Sequence, residues 1–179
     1  MAEELRRYFS AAAEACGPNA AHAFPPHVSV TGFFHDRAPD WQAYGDALAA
    51  AAQQIGRPPT PEATVTTLFL HDHHHGLAVE SPWLCALAAE FAARAPAATR
   101  MDAVRPKRDL HISLAYGFDA LFGPRLADLA RRLVDPAVGA EWELRLYERA
   151  SGNRWLLHGS WKCGSGATHL IPLGVCVDE

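Results

Sequence analysis

Two short segments of this chain are near copies of one another. His27-Val28-Ser29-Val30 and His111-Ile112-Ser113-Leu114 each read histidine, β-branched apolar, serine, apolar, and they stand 84 residues apart. On a strand, alternate side chains share a face, so each segment shows a His/Ser face and an apolar face. A fold that accommodates both must bury two apolar faces and leave two polar ones pointing away from the core. That requirement narrows the possible architectures more than any other feature of the sequence.

The surrounding pattern supplies the elements. Glu3 to Cys16 carries Leu5, Tyr8, Phe9 and Ala12 near helical spacing, and Gly17-Pro18-Asn19 should end that helix. His27 to Phe34 reads as a strand after Pro25-Pro26, and Asp40 as the cap of a helix through Trp41, Tyr44, Leu48 and Ile55. Thr64–Leu70 and Gly76–Glu80 read as strands flanking a polar turn at His71–His75. Ser81-Pro82 opens a further helix through Trp83, Leu84, Leu87 and Phe91. Leu110–Phe118 reads as a strand, Phe122 or Pro124 to Val134 as a helix, and Trp142–Tyr147 with Trp155–Trp161 as a hairpin about Ser151-Gly152-Asn153. Helix then strand recurs, so the expected class is α+β, with two similar lobes of antiparallel sheet and outer helices. The lobes are expected at about 1–75 and 76–165, with a strand-like tail over 166–179 completing the first.

Composition excludes several classes. Of 179 residues, 49% are hydrophobic and 20% charged, which is globular rather than disordered. A formal net charge of −4 argues against a surface for long double-stranded nucleic acid. Cys16, Cys85, Cys163 and Cys176 form no closely spaced pair, so they read as reduced thiols and not as a zinc knuckle or disulfide framework. The N-terminus lacks a signal-peptide pattern, and no stretch approaches the roughly 18 apolar residues of a membrane span. The expectation is a soluble, cytoplasmic monomer.

The paired His/Ser faces suit one kind of chemistry. Two imidazoles, with ordinary pKa values near neutrality, can supply one general base and one general acid. Two serine hydroxyls can donate to the non-bridging oxygens of a phosphate, where charge builds in the transition state. One His-x-Ser segment alone would read as a structural histidine on a strand. Its duplication at the same point of a repeated unit is what points to function.

The tandem motif resembles that of the two-histidine (2H) phosphoesterase superfamily, defined by paired His-x-Thr/Ser-x segments. The chain looks closest to the 2H domain of the ubiquitin-associated and SH3 domain-containing proteins. That likeness is carried by 15–22 (Ala-Cys-Gly-Pro-Asn-Ala-Ala-His), 26–34 (Pro-His-Val-Ser-Val-Thr-Gly-Phe-Phe) and 110–118 (Leu-His-Ile-Ser-Leu-Ala-Tyr-Gly-Phe), and extends through Asp128-Leu129-Ala130 and 142–147. The resemblance implies a bilobal fold with a central groove, catalytic His27 and His111, and phosphate-binding Ser29 and Ser113. It implies no metal and no cofactor. This chain shows no ubiquitin-associated, SH3 or histidine-phosphatase segment, so those proteins' signalling roles are not carried over.

The activity expected is metal-independent hydrolysis of a nucleotide phosphodiester, with a 2′,3′-cyclic phosphate as the leading substrate. The partner would be a small nucleotide or an RNA terminus. Alternatives are a 3′-end or 2′–5′ oligonucleotide phosphodiesterase at the same site, and a module that binds such ends without turnover. Phe34, Lys107, Tyr116 and Trp161 are further candidates for contacting substrate. Tyr116, five positions after His111, should lie on the opposite strand face, and for Phe34 and Trp161 core filling is the preferred reading. His71, His73, His74 and His75 with Asp72 invite a metal reading, but consecutive strand or turn histidines alternate direction, and a solvated turn is preferred. His22 and His158 read as structural.

Overall fold

The computed structural model describes residues 1–56, 62–150 and 154–162. Among them are four α-helices, α1 (Ala2–Cys16), α2 (Trp41–Ile55), α3 (Pro82–Arg94) and α4 (Gly123–Leu133). Five strands accompany them: β1 (Thr64–His71), β2 (His74–Glu80), β3 (His111–Tyr116), β4 (Glu143–Arg149) and β5 (Trp155–Lys162). The class is α+β, and both sheets are antiparallel. The 151–153 turn, Cys163, Cys176 and the tail over 166–179 lie outside the described residues. None of the helices is long and apolar enough to cross a membrane among the described residues.

Local sequence accounts for the helix ends. Ala43 N–H donates to the Asp40 carboxylate at 3.0 Å, which satisfies one of the backbone donors left open at the start of α2. Gly17 ends α1 with φ of +77°, its N–H donating to Ala13 O, a conformation that side chains with a Cβ resist.

The chain forms two compact units that interleave along the sequence. The first comprises Met1–Val30, Ala63–Ser81 and Lys107–Ala140; the second comprises Thr31–Glu62, Pro82–Pro106 and Glu141–Glu179. The division expected from the sequence was near residue 75. That point falls inside β2, which pairs with β1 on one side and β3 on the other, so backbone hydrogen bonding welds the two halves together. Both His-x-Ser segments belong to the first unit.

In the first unit, β1-β2-β3 is a three-stranded sheet with β2 at its centre. His75, Leu77 and Val79 of β2 are buried on one face, as is Ile112 of β3. α1 buries Leu5, Tyr8 and Ala12, packs along α4 and touches β3. The Arg131 guanidinium of α4 lies near enough to influence His75, which places that helix over the same face.

In the second unit α2 packs on α3, and Tyr44 sits between the rings of Phe34 and Phe91, at centroid distances of 5.4 and 6.4 Å. β4 and β5 form a separate two-stranded sheet, and Trp41 stacks on His158 of β5.

The segment after Pro26 departs from the expected strand. It makes only isolated antiparallel bridges, Val28 with Ile112, Thr31 with Pro106 and Asp36 with Arg100. Between the first two bridges two residues (29 and 30) on one side answer five (107–111) on the other, so no regular ladder can run through the loop before β3.

Candidate active site

The Val28–Ile112 bridge brings the two motif copies together. In an antiparallel pair the residues flanking a bridge also oppose each other, so His27 stands across from Ser113 and Ser29 across from His111. On β3, His111 and Ser113 lie on the face opposite Ile112. The two histidines occupy diagonal positions, for which backbone spacing is about 7–8 Å.

Both imidazoles are held by the same local device. His27 Nδ1 lies 2.9 Å from Pro25 O, and His111 Nδ1 lies 3.0 Å from Asp109 O. A carbonyl oxygen only accepts, so each Nδ1 must carry the proton. In the neutral ring Nε2 then holds a bare lone pair, and in the charged ring an N–H. Each histidine is thereby poised to take or give a proton at Nε2 alone. His27 is exposed and His111 half-buried, with Phe24 edge-on to the first ring and Phe69 to the second.

A third imidazole shares this face. His74 Nε2 lies 3.1 Å from Ser113 Oγ, and its ring is edge-on to His111 at a centroid distance of 5.1 Å. The sequence reading placed it in a solvated turn over His71–His75. The ladder instead continues to the His71–His74 pair, which leaves only Asp72 and His73 in the loop. His74 and His75 are therefore strand residues of opposite direction. Burial, followed by the neighbouring His111, His71 and His75, holds the His74 pKa below its ordinary value. His75, only 3% exposed, points into the core beside Phe118; its pKa is also lowered by burial, and its Nδ1 has no hydrogen-bond partner among the described residues. The signal that could have revealed His74 was parity. Residues 74, 76 and 78 alternate on β2 as 111 and 113 do on β3.

Tyr116 also lies on this face, which corrects the expectation that it points to the core. A β-bulge adds one residue to β3: Gly76 pairs with Ser113, but His75 pairs with Ala115 and His74 with Tyr116. The extra residue, Leu114, is itself buried, and it shifts the alternation so that Tyr116 reaches His74, with ring centroids 6.0 Å apart.

Gly76 makes the centre of the site possible. A Cβ there would strike the Phe69 ring and would come within 2.7 Å of Ile112 O. Phe69 lies across the vacant position and meets His71, His74 and His111.

The other candidates are placed differently. Lys107, half-buried, donates its backbone N–H to Val30 O within the first unit. Phe34 and Trp161 belong to the second unit: Phe34 packs on Tyr44, and Trp161, 7% exposed, is core, lying over Gly159. His22 accepts from Asn19 N–H, and His158 pairs with Glu148 at 2.9 Å. Among the described residues no group of three His, Cys, Asp or Glu side chains is placed to hold a metal ion, and Cys16 is a free thiol.

No family model matches the chain, and no solved structure matches it significantly. Curated relatives do. The chain is 29% identical over 156 residues to ubiquitin-associated and SH3 domain-containing protein B of Mus musculus, and equally so to that of Homo sapiens. It is 27% identical over 154 residues to ecdysteroid-phosphate phosphatase of Bombyx mori. Each alignment covers 83% of this chain but only 24%, 23% and 23% of the respective relatives. The chain thus spans about a quarter of the length of the curated relatives it matches.

Proposed function

We propose that this protein is a phosphodiesterase of the two-histidine kind, acting on a nucleotide phosphodiester and foremost on a 2′,3′-cyclic phosphate. One of His27 and His111 takes a proton from water at its bare Nε2 as the oxygen attacks phosphorus. The other, charged, gives its Nε2 proton to the departing ribose oxygen as the P–O bond breaks. Ser29 and Ser113 donate to the non-bridging oxygens, where charge grows in the transition state. These steps are complete without a metal ion. The observation that carries the reading is the matched pair of Nδ1–carbonyl bonds, which leaves each Nε2 to take or give a proton. The phosphatase name of one relative is in keeping with phosphoester chemistry.

The test is a substrate panel assayed with and without chelator. It comprises 2′,3′-cyclic mononucleotides, 2′–5′ linked and 3′-terminal oligonucleotides, and a phosphomonoester such as p-nitrophenyl phosphate, with products identified. Chelator-resistant opening of a cyclic phosphate supports the proposal. Turnover of monoesters alone, or binding of nucleotides with no turnover of any diester, would overturn it.

A further inference from the structure

We infer that His74 is a positioning residue, which keeps an Nε2–H on Ser113 Oγ and so turns the Ser113 hydroxyl proton toward the bound phosphate. The inference rests on the phosphodiesterase reading above and adds a residue that the paired motif does not contain.

A serine hydroxyl has one proton to place. Were His74 Nε2 bare, Ser113 would donate to it and would present only lone pairs to an anion. With a proton on Nε2, His74 is the donor across the 3.1 Å contact, and the Ser113 proton is free for a phosphate oxygen. An anionic ligand selects the second arrangement. The His74 ring is held for it by edge-on contacts to Phe69, His111 and Tyr116, with centroids 5.1, 5.1 and 6.0 Å away. Burial and the adjacent histidines also favour its neutral form. It can therefore donate without setting a second positive charge beside His111. The tautomer required is opposite to that of His27 and His111, whose protons sit on Nδ1. Ser113, and not Ser29, is the hydroxyl that His74 reaches, so the two halves of the motif are not equivalent.

Two measurements test this. The first is nitrogen-15 NMR of the imidazoles in the intact protein at about pH 8, where neutral histidine predominates, with saturating inorganic phosphate or 2′-AMP. The expected result is a proton on Nε2 of His74 and on Nδ1 of His27 and His111. A bare Nε2 on His74 in the ligand-bound protein would overturn the inference, whether or not any diester is turned over. The second is a double-mutant cycle with His74→Ala and Ser113→Ala. Each should lower kcat/KM for the cyclic phosphate about 10- to 100-fold, the range for one hydrogen bond to a charged group. Together they should cost little more than Ser113→Ala alone, and His74→Gln, which retains a donor, should recover most of the loss. Fully additive losses would exclude action through Ser113. Should no diester react, the phosphodiesterase reading fails separately, and the same four proteins are compared by their Kd for 2′-AMP.

Discussion

Val28 and Ile112 face each other in an isolated antiparallel bridge, and this apolar pair sets the His/Ser opposition on the other face. Ile112 is 4% exposed, so truncating it removes buried methyl groups beneath the site. Ile112→Ala should cost about 2–5 kcal/mol and Ile112→Val about 0.5–1.5 kcal/mol. Urea denaturation would measure both, and equal midpoints for the two variants would argue against a packed site at this bridge.

His27→Ala and His111→Ala should each lower turnover about 10²–10⁴-fold, the contribution of a positioned acid or base. The double variant should be little worse than either, because acid and base act in one step. Circular dichroism of each variant checks that the fold is retained. Full activity in either single variant would rule out the mechanism.

Gly76→Ala should be destabilising by about 1–3 kcal/mol, the usual cost of overpacking. Phe69→Leu in the same chain should relieve only part of the loss, since Ile112 O, a backbone atom, remains within 2.7 Å of the new Cβ. Thermal melts of the three proteins give the comparison.

His75 carries a testable pH dependence. Its pKa is lowered in the folded protein by burial first, then by Arg131 and His71. The unfolded chain therefore binds a proton more readily, and stability falls as pH drops below the ordinary histidine value of about 6.5. His74 and His22, lowered first by burial too, act in the same direction. His75→Leu removes one such proton acceptor along with its unpartnered Nδ1, so the acid-side loss should be smaller than in the wild type. Melting temperatures from pH 5 to 8 would show it, and parallel profiles would contradict it.

Much of the local structure was legible in the sequence because its signals are local. Asp40 before Trp41 caps α2, Ser81-Pro82 precedes α3, and alternation over Glu143–Tyr147 runs on a strand. The four motif residues stood out because their pattern occurs twice. Tyr116 was not, because strand parity assumes a continuous ladder, and the bulge at Leu114 depends on what β2 offers opposite. His74 was hidden for a related reason. A polar run reads as a turn until the pairing partner is known, and here His71 pairs with His74. The interleaving of the two units was not legible, because the repeated helix and strand order says nothing about which strands share a sheet.

The interleaved order of the two units bears on how the molecule is made. The chain passes from one unit to the other at 30/31, 62/63, 81/82, 106/107 and 140/141. No continuous fragment contains one unit entire without part of the other, and truncation from the C-terminal end past residue 140 would cut into both. During synthesis Val28 emerges before Ile112 and must wait for it before their bridge can close. The proposed acid and base stand 84 positions apart, and such distant pairing favours slow folding.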